Sequence, residues 1–379
     1  MPKLKFAIPK GSLQEGTLKL LRQAGYNIAG GKRSYRPSIN DSEIELKILR
    51  PQEIPTMLSQ GAHDIGISGQ DWVLETSADV VNLLNLEYGF VRLVLAVPED
   101  WTEINNLSAL LRRQKEKNKP LRIFTEYLKT SSEYIQNNNT FQSYYPNKIP
   151  DIITPWHKYE VQFLFDYGDD SQEMRSFKES KNSMMFDPGD DAPEFRRLKY
   201  KQINKITPDV KIILSFGATE AKPPEDAEAI IDVIETGTTL TENNLKIIDI
   251  VGESNAYLLG NKDALRDRWK REKIKDVMVL LKGVVEARKK VHVFMNIKTE
   301  NIPKLLGKLP ALKRPTVSPL AGIDGWSALN TIISKDLFLH LIPELRKYAQ
   351  GIVVEECRQI LPFELEELNN VNLNGEKAE

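Results

Sequence analysis

The sequence predicts an α/β protein followed by a small α+β domain, and three observations carry that reading. Through the first third, and again beyond residue 209, short apolar runs alternate with longer helical patterns, as in parallel strands linked by covering helices. The last third changes to a β-α-β-β-α-β order, the ferredoxin-like unit. With 379 residues, 41% hydrophobic and 28% charged, the chain has the composition of a globular protein and the length of two or three domains.

The elements follow in order. Residues 4–8 (Leu-Lys-Phe-Ala-Ile) read as a strand, and 13–24 as a helix whose apolar positions end before Gly25. Residues 44–49 alternate as a strand, Pro51 opens a helix that stops at Gly61, and 64–68 and 91–97 are buried strands. Then come a helix over 103–117, a strand over 121–124 and a helix over 131–137. Residues 137–208, with Asn-Asn-Asn, several prolines and Gly-Asp-Asp twice, are too long for a plain loop and read as an inserted subdomain or a partly mobile excursion, with a hairpin near 160–165. Strands at 210–215 and 230–234, a short helix from about Thr239 and an apolar stretch at 247–259 complete the α/β part. A charged helix over 266–288 leads out of the core. The small domain then runs as strand 290–297, helix 302–309, strands 316–319 and 326–333, helix 337–348 and strand 351–355, before a polar tail.

Composition excludes several functions. Lys and Arg total 52 against 53 Asp and Glu, so the basic excess of a general nucleic-acid binder is missing. Cys357 is the only cysteine, and the four histidines (His63, His157, His292, His340) are scattered, which argues against a disulfide or a Cys/His metal centre. No run of 18 apolar residues suggests a membrane span, and the charged start reads as a strand, not a signal peptide. The expected compartment is the cytoplasm.

Chemistry concentrates at turns that end strands. Residues Asp232-Val233-Ile234-Glu235-Thr236-Gly237-Thr238-Thr239 bring two acids to the end of an apolar strand, then a hydroxyl-flanked glycine turn. Backbone N–H groups and threonine hydroxyls there suit a phosphate, and the acids can accept hydrogen bonds from sugar hydroxyls, a combination fitting a phosphorylated ribose. A plain turn with a threonine cap has the same pattern. Lys10-Gly11-Ser12 repeats the strand, glycine turn and helix start with a cation at the turn, and Ser12 would serve equally as a cap. Asp71, after Gly66-Ile67-Ser68-Gly69-Gln70, is either a ligand or a first-turn helix acid. Arg33, Arg36 and Arg50 are candidate anion forks, with Arg50 at the sheet edge where α/β ligands gather, and Glu220 follows the strand at 210–215.

Taken in order, Lys10-Gly11, Arg50-Pro51-Gln52-Glu53-Ile54-Pro55, Asp64 to Asp71, Thr125-Glu126-Tyr127, Gly217-Ala218-Thr219-Glu220 and Glu235 to Leu240 resemble the ATP phosphoribosyltransferase family. Arg314 to Leu320, Gly325-Trp326 and Gly351 to Val354 resemble the regulatory domain of its long form. The resemblance implies a two-lobed core like the periplasmic-binding-protein fold, with lobe I over 1–97 and about 243–285 and lobe II over 98–242. It also implies a regulatory domain over 286–363 and a flexible tail over 364–379. It implies ATP and phosphoribosyl pyrophosphate as substrates, magnesium-dependent turnover, inhibition by L-histidine, and a homo-oligomer, a hexamer with possible dimer exchange. Carried over by position, Asp232, Glu235, Thr236, Gly237, Thr238 and Thr239 would hold the ribose and its 5-phosphate. Lys10, Arg50 and one of Arg33 or Arg36 would meet the polyphosphates, with Asp71 near the nucleotide and Glu126 and Glu220 facing substrate. Thr316, Ser318 and Asn296 would lie by the effector; the metal ligands are not specified. The family pattern is departed from at Ser12, where arginine is usual, and in the 137–208 segment. A non-enzymatic two-lobed binding or sensor protein is the alternative.

Overall fold

A computed structural model describes residues 2–30, 34–154, 209–307, 315–362 and 365. Arg33, the 160–165 hairpin and most of the tail lie outside the described residues. The chain divides into two compact units: Met1–Leu93 with Val233–Thr236 and Gly252–Glu379, and Val94–Asp232 with Gly237–Val251.

In the first unit the chain runs β1 (Leu4–Pro9), α1 (Ser12–Gln23), the short β2 (Ile28–Ala29) and β3 (Ser38–Ile39), and β4 (Ile44–Leu49). It continues through α2 (Ile54–Ser59), β5 (Ile65–Gly69), α3 (Gln70–Thr76) and β6 (Val81–Asn85). β7 (Val91–Pro98) opens the second unit, followed by α4 (Leu107–Glu116), β8 (Leu121–Thr125), α5 (Leu128–Gln136), α6 (Asn139–Tyr144) and β9 (Asp151–Ile153). Beyond residue 208 come β10 (Val210–Leu214), β11 (Ala229–Ile234), α7 (Thr238–Glu242), β12 (Leu245–Ser254), β13 (Ala256–Gly260), α8 (Lys262–Arg266) and α9 (Arg268–Arg288). The last domain is β14 (Lys290–Lys298), α10 (Ile302–Leu306), β15 (Thr316–Pro319), β16 (Trp326–Ser334), α11 (Lys335–Tyr348) and β17 (Ala349–Glu356).

The first sheet has the order β4-β1-β5-β13-β6, with β4, β1 and β5 parallel and β13 antiparallel to its neighbours. The second has the order β12-β7-β11-β8-β10-β9, with β11, β8, β10 and β9 parallel. Both sheets belong to α/β lobes in which parallel strands are linked by helices, as the alternating pattern of the sequence predicts. The C-terminal sheet, β15-β16-β14-β17 and wholly antiparallel, is the ferredoxin-like arrangement expected from the sequence.

Several local readings need correction. The 247–259 stretch is two strands, because Asn255 separates β12 from β13. The helix at 103–117 starts only at Leu107, where the Asn106 side chain accepts the Ala109 N–H at 2.8 Å. Pro51 starts a turn, and the helix begins at Ile54. Residues 137–154 are not an insertion. Phe141 of α6 is buried, Thr140 bonds Ser108 of α4 at 2.9 Å, and β9 extends the second sheet beside β10. Nor does α9 lead away from the core. Ile274, Val277, Met278, Leu281, Val284 and Val285 recur at helical spacing and are buried in the first lobe, so its charges cover only the outer faces.

The segment after β17 returns to that lobe. Arg358 donates to the Gln23 carbonyl at 3.1 Å, at the C-terminal end of α1 where carbonyls lack helical partners, and at 3.4 Å to the Arg22 carbonyl, which also accepts the Gly25 N–H. The Ile360 N–H reaches the Gly283 carbonyl at 2.9 Å. A Cβ on Gly283 would lie 2.8 Å from Leu361 Cδ2, so the returning segment passes directly over this helical position.

Candidate active site

The parallel strands of the first sheet end together. Pro9 is in register with Leu49, the Lys10 N–H donates to the Leu49 carbonyl at 2.7 Å, and Ala7 pairs with Gly66 of β5. Lys10, Arg50 and the start of α3 therefore share the C-terminal edge, where an open α/β sheet presents its ligand-binding turns. Lys10 Nζ donates to Tyr35 Oη at 3.0 Å and stands 4.9 Å from that ring's centroid. The hydrogen bond from Lys10, then its charge, then the nearby Arg50 guanidinium hold the Tyr35 hydroxyl below the usual phenol range.

Asp71 belongs to the same edge and is fixed there. Its N–H donates to Ser254 Oγ at 3.0 Å, and Ser254 Oγ–H donates to Asp71 Oδ1 at 2.7 Å. The carboxylate folds back so tightly that a Cβ at Gly69 would lie 2.0 Å from Oδ1, which is why residue 69 is glycine. Asp71 is thus a first-turn helix acid at the sheet edge. Arg36 is not brought to Lys10 and Arg50. Its guanidinium pairs with Glu45 at 2.7 Å. Glu45 precedes Arg50 by five residues, about 16 Å along an extended strand.

The second sheet gathers a different set. Thr125 is in register with both Leu214 of β10 and Ile231 of β11, so Glu126, Ser215 and Asp232 come next along three adjacent strands. Thr125 is buried and its hydroxyl accepts the Tyr127 N–H at 2.9 Å, setting the turn that carries Glu126. Thr219 donates to Ser215 Oγ at 3.1 Å, and Ser215 in turn to the Gly217 carbonyl at 3.3 Å. This pins the loop that presents Glu220. After β11, Glu235, Thr236, Thr238 and Thr239 are exposed around Gly237. Gly237 has φ 85°, a left-handed conformation that glycine adopts without penalty, and its carbonyl accepts the Thr241 N–H at 3.2 Å as α7 begins.

In the C-terminal sheet, Val293, Met295 and Ile297 are buried, which turns Asn296 to the opposite face. Ser318 and Asn296 both pair with Ala328, and Thr316 and Phe294 both pair with Asn330. Ser318 and Asn296 are thus two strand spacings apart, about 10 Å, in one row.

Sequence comparison decides the family. The ATP phosphoribosyltransferase family model matches residues 50–161 and 171–283, and the model of that family's C-terminal domain matches 287–359. The chain belongs to the ATP phosphoribosyltransferase family. It is 35% identical to ATP phosphoribosyltransferase of Pelodictyon phaeoclathratiforme, over 92% of this chain and 94% of that one. It is 33% identical to ATP phosphoribosyltransferase of Chlorobaculum parvum, over 94% and 97% of the two chains. Among solved structures it is similar to the ATP phosphoribosyl transferase (HisG:HisZ) complex from Thermotoga maritima, with TM-score 0.47 and 24% identity, covering 75% of this chain and 98% of that one. The family match breaks only at residues 162–170 within 50–283, so most of the 137–208 segment lies inside the ATP phosphoribosyltransferase pattern. Sequence reasoning missed Tyr35 and Ser254. Tyr35 lies between Arg33 and Arg36, a basic cluster that marks the region, whereas Ser254 reaches Asp71 across 183 residues and leaves no local signal.

Proposed function

We infer that the protein is a pentosyltransferase of histidine biosynthesis that joins ATP to 5-phosphoribosyl 1-pyrophosphate, giving N1-(5-phosphoribosyl)-ATP and pyrophosphate. The carrying observation is the family match across both the α/β core and the C-terminal domain. In this reading adenine N1 donates its electron pair to ribose C1 while the C1–O bond breaks and its pair leaves with pyrophosphate. Lys10 and Arg50 neutralise the departing charge. Asp232 and Glu235 accept hydrogen bonds from ribose hydroxyls, and the Thr236–Thr239 turn donates to the 5-phosphate. Glu126 and Glu220 line the same side, and Asp71 faces the nucleotide. Holding both substrates in line supplies the rest, so no covalent nucleophile is required.

Among the described residues no group of three or more His, Cys, Asp or Glu side chains is arranged to hold a metal ion. In this reading magnesium is carried in on substrate phosphates. Bound there, the ion would add Lewis-acid stabilisation of the leaving group.

The domain over 286–363 is read as regulatory, with L-histidine beside Thr316, Ser318 and Asn296, and the working form as a cytoplasmic homo-oligomer, a hexamer. No described helix is long and apolar enough to cross a membrane. The test is to mix the protein with ATP, phosphoribosyl pyrophosphate and magnesium and follow product absorbance in the near ultraviolet. Absence of turnover, with ligand-induced melting shifts alone, would instead support a binding or sensor protein.

A further inference from the structure

The edge that carries Lys10 and Arg50 also holds an aromatic side chain, Tyr35. Tyr35 is anchored by its main chain, whose carbonyl accepts the Ile48 N–H at 2.8 Å, two residues before Arg50. Its side chain is nonetheless 55% exposed and takes no part in the core of the lobe. A large aromatic held at a surface by its backbone, with its ring facing a lysine, is not explained by packing.

Its hydrogen bonding carries the argument further. Lys10 is an ammonium and can only donate, so Tyr35 Oη is the acceptor in the 3.0 Å bond. The phenol keeps its own proton, which must point to a different acceptor. An O–H that accepts from an ammonium is a stronger donor than a free phenol, and this one sits at the edge where Lys10 would draw in an anion. We propose that Tyr35 contacts substrate: its hydroxyl donates to a phosphate oxygen of the polyphosphate held by Lys10 and Arg50. This rests on reading that edge as the polyphosphate site.

The experiment uses the full-length protein and two readouts: steady-state kinetics, and calorimetric titration with inorganic pyrophosphate as the probe. Tyr35→Phe keeps the ring beside Lys10 and removes only the hydroxyl. It should lower kcat/KM and pyrophosphate affinity each about tenfold, the loss of one charge-assisted hydrogen bond, with an unchanged melting temperature. A Tyr35→Phe protein equal to the parent in both readouts overturns the proposal. So does a loss seen only in Tyr35→Leu, because the ring would then merely prop Lys10. The underlying reading fails separately: Lys10→Met with undiminished pyrophosphate affinity would remove the site. A parent that binds pyrophosphate but does not turn over would remove the reaction and leave the tyrosine result standing.

Discussion

The two parallel sheets carry their candidate residues on an edge, whereas the antiparallel sheet carries its candidates on a face. Where strands run parallel they end in the same direction, so the turns after β1, β4 and β5, or after β8, β10 and β11, converge however far apart they lie in sequence. In the C-terminal sheet neighbouring strands run opposite ways and their ends scatter. Side chains instead align in rows across the strands, as Ser318, Ala328 and Asn296 do. The two parallel edges also differ in charge. The first offers Lys10 and Arg50, suited to a polyphosphate; the second offers Glu126, Glu220, Asp232 and Glu235 with the threonine turn, suited to sugar hydroxyls and one phosphate.

That contrast can be broken by substitution. The largest effect is expected for Arg50→Met, which should lower kcat by about a hundredfold or more, as loss of a transition-state charge partner does, with little change in thermal melting. Gly237→Val forces a β-branched residue into a left-handed conformation that costs about 1–2 kcal/mol. It should raise the KM for phosphoribosyl pyrophosphate at least about tenfold, by the loss of turn geometry, and leave the KM for ATP nearer the parent value. Thr316→Ala should raise the histidine concentration for half-inhibition several-fold and spare uninhibited turnover. If it instead lowers basal activity, the face-versus-edge distinction is wrong.

Two further changes probe parts of the lobes away from these sites. At the opposite end of the second sheet, Arg122 on β8 donates to Glu228 through Nε and Nη2 at 3.1 and 2.9 Å, and the Arg122 N–H reaches the same carboxylate at 2.8 Å. Arg122→Met should cost about 1.5–3 kcal/mol in denaturant unfolding without altering either KM. The smallest effect concerns Tyr88. Burial raises its hydroxyl to about 12, partly offset by its hydrogen bond with Thr17. The folded form therefore holds this proton more tightly than the unfolded form. The contribution to stability is full below about pH 10 and is lost as pH rises toward 12. Melting temperature followed across that range should fall less steeply in Tyr88→Phe than in the parent.

Much of the fold is legible from the chain alone because it is written in local pattern. Apolar alternation marks β1 and β4, the charged but stripe-bearing 268–288 segment marks a helix, and glycine turns after strands mark the candidate site. The ordered motifs are enough to reach the family. Other features have no local signal. Gly16 looks like a weak point in α1 until the Tyr88 ring is seen 2.6 Å from where its Cβ would be. Asp71 could be a mere helix acid until Ser254 closes on it. The same holds for α6 and β9, which read as an insertion because their burial depends on α4 and β10, not on their own sequence.

Residue order thus determined which elements form, in what succession, and which turns carry charge and hydroxyls, since these depend on neighbours within a few positions. Only the tertiary structure decided that Tyr35 meets Lys10, that Arg36 is drawn off by Glu45, and that Arg358 returns to close α1. Those pairings are set by strand register and chain crossings, and no short window of sequence contains both partners.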